Sequence, residues 1–209
     1  MRPVPPEIDE RIDLGGTELV IRRPADVESL IDEERFEDDE FLPYWAELWP
    51  SGMALAQFVG GLALRGRRVL ELGCGLALPS LAAATAGAAV TATDWASESI
   101  ELVRRNADAN GLVVAASVLD WTSTVGVAEE PYHLVLAADV LYEERNAAPL
   151  LCLLDDVVAA GGEALIADPG RRHAGAFFAR AKTAGWSLER TAVGELPSGA
   201  IVRLWRSPG

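Results

Sequence analysis

Lysine is almost absent: Lys182 is the single one among 18 basic residues, set against 32 acidic ones, which leaves a formal net charge of −14 and an isoelectric point near 4.5. Affinity for DNA or RNA comes largely from lysine and arginine neutralising phosphates, so this balance excludes nucleic acid as an expected partner and favours a basic or neutral one. The bias toward arginine itself reads as base composition rather than function. Cysteine is scarce as well. Cys74 and Cys152 are too few and too unpatterned for a disulfide framework or a zinc site, and the default they leave is a reduced, cytoplasmic setting. Apolar runs such as Leu150 to Leu154 are soon interrupted by Asp155 and Asp156, far below the length of a bilayer span, so no membrane association is expected. The first residues, MRPVPPEIDERID, lack both the apolar core of a signal peptide and the arginine-rich, acid-poor character of a transit peptide. There is no internal repeat and no low-complexity linker, and 209 residues suit one domain with a single sizeable core.

What is present is alternation. From Arg67 onward the pattern predicts a strand over 67–72, a helix over about 78–86 with Pro79 in its first turn, a strand over 89–93 and a helix over about 96–109 closed by Asn110-Gly111. Strands follow near 113–119, 132–138 and 162–167, with helices near 144–159 and 173–184. Repeated strand and crossover helix implies a parallel sheet. The last two apolar runs, Trp186 to Val193 and Ala200 to Trp205, are joined by a short turn containing Pro197-Ser198-Gly199, which predicts an antiparallel hairpin. The expected fold is therefore α/β: a Rossmann-like, seven-stranded, mostly parallel sheet with a C-terminal antiparallel hairpin and helices on both faces. Residues 1–45 read as an appendage and 46–209 as the main domain. In the appendage Thr17 to Arg22 suits a strand and Ala25 to Glu34 a short acidic helix entered after Pro24. The acidic run Asp32 to Glu34 and Glu37 to Glu40 is either a solvated surface segment or a face for a basic partner. Ser51 is placed to cap a helix running to about Leu64.

The stretch VLELGCGLA, Val69 to Ala77, is an apolar strand that carries an acid, Glu71, and breaks into a glycine turn before a helix. A second strand ends in another acid, Asp94. Together they read as a nucleoside-cofactor site: Gly73 and Gly75 let the backbone turn tightly and approach a ligand, and Asp94 can accept from both ribose hydroxyls. A dinucleotide fold would want G-x-G-x-x-G, but Leu78 stands at the third glycine. An acid at Glu71 would repel a pyrophosphate yet suits the cationic end of S-adenosylmethionine (SAM).

In an open parallel sheet, ligands gather at the carboxyl ends of the strands. The residues that matter are then Gly73, Cys74 and Gly75 after the first parallel strand, Asp94 and Trp95 after the second, and Asp120 and Trp121 after the third; Asp139 to Tyr142 follow the fourth and Asp168 to Arg171 the fifth. Asp120 suits the adenine amino group. Trp121 either lies on the adenine face or is a packing residue, and Trp49 either closes over the methionine part of the cofactor or belongs to a lid packed on the sheet. Cys74 has no companion base and reads as a packing thiol, while His133 and His173 read as structural or exposed. Arg171 and Arg172 either grip an acidic substrate group or lie on the surface.

Taken together, PYWAELWPSGMAL, VLELGCGLALP, TATDW, LAADVLYEE and ADPGR resemble the seven-strand protein lysine methyltransferases, in particular the branch that modifies the electron transfer flavoprotein beta subunit. The resemblance covers residues 41–206; the first 40 have no informative match, and Ala77 stands where many methyltransferases have a third glycine. It implies SAM as cofactor, with Trp49, Gly73, Gly75, Asp94, Trp121 and Ala138 as contacts. It also implies a protein substrate resembling the electron transfer flavoprotein beta subunit, and the enzyme is expected to be a monomer. Asp139-Val140-Leu141-Tyr142 matches the Asp-x-x-Tyr motif this family uses at its methyl-acceptor site, and Asp168-Pro169-Gly170-Arg171 matches an element typical of the flavoprotein-modifying branch. On this reading Asp139 and Tyr142 are catalytic: Asp139 orients the amine and Tyr142 forms a wall. The competing reading has Asp139 capping the next helix and Tyr142 packed beneath it. Two rival functions stay open, a small-molecule N-methyltransferase and a non-catalytic cofactor-binding module.

Overall fold

The computed structural model describes residues 6–30, 43–122 and 130–207. Two antiparallel strands, β1 (Glu7–Asp13) and β2 (Glu18–Pro24), form a small sheet of their own. They are joined at Gly15 and Gly16, whose amides both donate to Asp13 Oδ1. Sequence pattern predicts β2 but not β1. EIDERID carries charges on nearly every position, and its apolar Ile12 alone is buried.

Seven further strands make one sheet: β3 (Arg68–Leu72), β4 (Ala89–Asp94), β5 (Val114–Val118), β6 (Tyr132–Ala138), β7 (Val158–Asp168), β8 (Ser187–Thr191) and β9 (Ala200–Trp205). Their order is β5-β4-β3-β6-β7-β9-β8, parallel from β5 to β7, with β9 antiparallel to both β7 and β8. The order reverses between β4, β3 and β6, which is where such a sheet opens a crevice.

Side chains alternate across the sheet with period two, so each strand feeds two cores. On one face Val69, Leu134, Leu136, Leu165 and Ile201 meet Leu55 and Val59 of α1 (Pro50–Gly60) and Leu81 of α2 (Leu78–Thr85). The same face is extended over β4 and β5 by α3 (Ser97–Ala109). On the other, Leu70, Val135, Ile166 and Val202 meet Leu150 and Leu154 of α4 (Ala147–Val157) and Phe177 of α5 (Ala174–Thr183). Helices therefore cover both faces, as the pattern predicts.

The small sheet is fastened to α3 by side chains that imitate a neighbouring strand. Asn106 accepts from the Arg22 amide at 2.8 Å and donates to the Arg22 carbonyl at 3.2 Å; Asn110 does the same for Val20, at 2.8 Å each way. Residues four apart on a helix and two apart on a strand have nearly the same spacing, so two amides satisfy two turns of an open edge.

Three expectations need correcting. Ser51 is not the cap of α1: Trp49 occupies that position with Pro50 following it, and Ser51 lies buried with its hydroxyl unpartnered. Proline, with φ preset for the first helical position, starts the helix one residue earlier. The helix foreseen over 144–159 is shorter: a 3₁₀ turn spans Glu144–Asn146, and the chain passes from α4 directly into β7 at Val158. Consecutive β-branched residues, Val157 and Val158, followed by Gly161 and Gly162 favour that early change to strand. The foreseen acidic helix is represented by a 3₁₀ turn, Glu28–Leu30. Its remainder and the acidic run at 32–40 lie outside the described residues.

Candidate active site

After β3 the chain reverses through Gly73 (φ +65°) and Gly75 (φ +51°), with Ala77 also left-handed at +60°. A Cβ on Gly73 would lie 3.0 Å from Val140 Cγ1 and 3.3 Å from Trp121 Cζ2; one on Gly75 would lie 3.0 Å from the Trp45 carbonyl oxygen. The glycines thus bring three separate segments against one turn. Asp94, at the end of β4, ties that turn in place: its Oδ2 accepts from the Gly75 amide at 2.8 Å and its Oδ1 from the Ala96 amide at 3.0 Å. The Trp95 amide also bonds this carboxylate, whose remaining acceptor capacity is available to a ligand hydroxyl. Burial pushes the Asp94 pKa above the usual carboxylate value, against the pull of those amides.

Glu71 has a task the sequence did not reveal. Its Oε2 accepts from the Ser80 amide at 2.9 Å and so caps α2, whose own cap residue, Ala77, has no side chain to offer. Burial pushes this acid up to about 8. Cys74 is buried beside Ser99, and burial together with Asp94 and Glu71 raises its thiol well above the ordinary range, which suits a packing residue and not a nucleophile.

Along the cleft from the turn, Trp95 is exposed, and Trp121 is half-buried, packed between Gly73 and the core beneath α4. Asp120 is held in a local turn, its Oδ1 accepting from the Thr122 amide and hydroxyl at 2.8 Å each, which lowers its pKa. Ala138 ends β6 at the cleft wall.

Asp139 follows in a left-handed conformation (φ +57°), its amide donating to the Ala167 carbonyl at 2.9 Å. Its carboxylate does not cap a helix. Both oxygens are taken by Arg171, Nε to Oδ1 at 2.7 Å and Nη2 to Oδ2 at 2.9 Å. The Asp139 side chain is 6% exposed and that of Arg171 38%. The guanidinium also stands 5.9 Å from the centre of the Trp49 ring. Trp49 Nε1 donates to the Tyr44 carbonyl at 2.8 Å, and the Tyr44 ring meets Trp49 and Tyr142 edge-on at 6.0 and 5.6 Å. Tyr142 is thus a partly exposed wall, not a residue packed beneath a helix. Neither expectation for Arg171 anticipated this: it grips an acid, but one of its own chain. Tyr44 was also missed as a site residue, although its place beside two tryptophans in PYWAELW was a signal.

The loop that carries Arg171 is held from below. Asp168 Oδ1 accepts from the Gly170 and Arg171 amides at 2.8 and 2.9 Å. A Cβ on Gly170 would lie 2.7 Å from the Ser198 carbonyl oxygen, and one on Gly199 would overlap the Asp168 carbonyl. Of the two histidines, His133 Nδ1 accepts from the Arg68 amide at 3.0 Å away from the cleft, and His173, just before α5, lies at the cleft rim beside Arg172.

The cofactor and catalytic residues expected from the sequence line one cleft of ≈ 1280 Å³, and of the loop after β7 Arg171 reaches it. Its floor holds two buried acids, Glu71 and Asp94, with no basic side chain hydrogen-bonded to either among the described residues. A nucleoside with ribose hydroxyls for Asp94 fits that floor better than a pyrophosphate, which would meet the Asp94 carboxylate.

Comparison with known proteins agrees. The profile of a family described as lysine methyltransferase matches residues 35–184. The electron transfer flavoprotein beta subunit lysine methyltransferase of Xenopus laevis is 36% identical over 136 residues, covering 62% of this chain and 53% of that protein, so the chain spans about half the length of this relative. Among solved structures, a TehB-like SAM-dependent methyltransferase from Corynebacterium glutamicum superposes with a TM-score of 0.62 at 20% identity, over 77% of this chain and 89% of that one. Magnesium protoporphyrin IX methyltransferase from Synechocystis, solved with SAM bound, gives 0.62 at 18% identity over 87% and 98%. These last two share the fold, whereas the profile covers the greater part of the chain and joins the glycine turn to the Asp139 loop. The chain belongs to the lysine methyltransferase family.

Proposed function

We propose that this protein transfers the methyl group of SAM to the side-chain amine of a lysine on a protein, and that the acceptor resembles the electron transfer flavoprotein beta subunit. The observation that carries this reading is a juxtaposition: the glycine turn after β3 and the Asp139 loop after β6 leave adjacent parallel strands and face the same cleft. Relatives named for that flavoprotein substrate support the finer assignment. The net charge of −14 suits a basic acceptor segment.

When bound, SAM supplies a methyl group made electrophilic by its sulfonium. Asp94 would hold the ribose hydroxyls with its remaining acceptor capacity, Trp95 and Trp121 would offer the adenine aromatic surface, and Asp120 would accept from its amino group. Glu71, Gly73, Cys74 and Gly75 line the methionine end, with Trp49 and Ala138 closing it. Asp139 orients the acceptor amine and Tyr142 walls it in. A lysine amine, with an unperturbed pKa of about 10.4, arrives protonated. Aromatic walls desolvate it and favour proton loss to Asp139 or water, and alignment of the amine with the methyl supplies much of the rate.

The test is methyl transfer from labelled SAM to a purified flavoprotein beta subunit and to host-cell lysate with and without prior protease treatment. Label should enter lysine in the protein fraction and vanish after proteolysis. Asp139→Asn should reduce transfer roughly a hundredfold or more while SAM affinity stays within a few-fold. Label that survives proteolysis would assign a small-molecule acceptor, and near-normal transfer by Asp139→Asn would remove that residue from the mechanism.

A further inference from the structure

The cation already lodged at the Asp139 end of the cleft belongs to the protein itself. A lysine ammonium presented there meets a nearly buried carboxylate with aromatic rings beside it, a combination that attracts a desolvated cation electrostatically. Arg171 has that position now: two hydrogen bonds to Asp139, and its guanidinium over Trp49. We propose that Arg171 is an internal stand-in for the substrate's cation, a latch that an acceptor lysine displaces from Asp139 in order to bind. The inference rests on the acceptor-site reading above and deepens it, because it assigns Arg171 the selection of acceptors.

The two partners are not equally free to move. Asp139 is fixed by its left-handed backbone, its amide bond to Ala167 and its burial. The Arg171 backbone is fixed as well, through the Gly170 and Arg171 amides on Asp168. The Arg171 side chain, by contrast, is more than one-third exposed at the cleft rim. The anion therefore stays while the guanidinium swings, with no movement of the loop. Arg171 does not leave by losing its proton, since an arginine keeps its charge at any physiological pH and the hydrogen bonds to Asp139 raise its pKa further. A charged guanidinium is removed by a competing cation. A tethered guanidinium competes at high effective concentration, so free small amines are rejected, while a lysine delivered by a docked protein has an effective concentration of its own. The latch thus selects polypeptide amines over metabolite amines without a separate filter.

n-Butylammonium chloride serves as the probe, its binding to the full chain followed through the indole N–H resonance of Trp49. Arg171→Ala and Arg171→Gln should each bind it at least about tenfold more tightly than the wild type, and adding Asp139→Asn to either variant should abolish the gain. Two variants guard against a folding defect in one; circular dichroism identifies those that are folded. Unchanged affinity in a folded Arg171 variant, or a gain that persists without the Asp139 carboxylate, would overturn the proposal. Because this readout involves no methyl transfer, it is separate from the functional reading: a gain in binding with no methylation of any acceptor would leave the cation slot standing and remove its role as acceptor site.

Discussion

Glu71 and Ser80 are joined by a carboxyl-to-amide hydrogen bond of 2.9 Å that caps α2 from a neighbouring strand, and the carboxyl that makes it has been pushed up to about 8 by burial. At neutral pH the cap is accordingly a protonated acid. Relative to the ordinary glutamate value of 4.5, the folded protein holds a proton that the unfolded chain has released between pH 4.5 and about 8. The sign follows: this group's contribution is fully present below pH 4.5 and is lost as pH rises through that window to about 8. Glu71→Gln keeps an acceptor and removes the ionisation. Its stability relative to wild type should therefore grow with pH across the window, as measured by urea midpoints. Parallel profiles would reject a protonated Glu71.

Gly75 illustrates a backbone that admits no side chain. Its φ of +51° disfavours any residue with a Cβ, and the added atom would lie 3.0 Å from a backbone oxygen that cannot rotate away. Gly75→Ala should cost about 1–2 kcal/mol from conformation alone and displace the Trp45 segment, weakening SAM binding in calorimetry. Gly175→Ala, in α5 with open space around it, should leave both quantities close to wild type. A Gly75→Ala protein with normal melting temperature and normal affinity would show that the turn is slack.

The Asn106 and Asn110 clamps predict a local effect. Replacing either by alanine strands an amide and a carbonyl of β2, at a cost of about 1–3 kcal/mol. Hydrogen exchange at the Val20 and Arg22 amides should accelerate. SAM affinity should not change, since neither asparagine lines the cleft. Retained protection at Val20 in Asn110→Ala would mean that hairpin pairing with β1 alone holds the edge.

The centre of the parallel sheet was legible because β3 and β6 are largely buried and read as mostly apolar runs; β6 lies where the pattern put it and α2 ends one residue early. β1 was not, because a strand charged at nearly every position, with only Ile12 buried, leaves no apolar periodicity to read. Positions in the cleft were legible from the ends of the strands. Partnerships were not: Asp139 and Arg171 are 32 residues apart, and only the pairing of β6 with β7 brings them together. Nor does Glu71 announce its cap, since a strand acid and a helix amide become neighbours only when the intervening glycine turn folds the helix back.

Gly170 and Gly199 touch the opposite backbone segment where any side chain would intrude, so the turn before β9 is wedged beneath the loop that presents Arg171. Turns between paired strands at the end of a domain are ordinarily where insertions are absorbed at little cost. Here the turn behaves as a shim under the cleft. Lengthening it, or giving it a bulkier residue at Gly199, would tilt the Arg171 loop, which lies 28 positions earlier in the chain, as counted from Arg171 to Gly199. The least ornamented corner of the fold is thereby bound to the dimensions of its most chemical one.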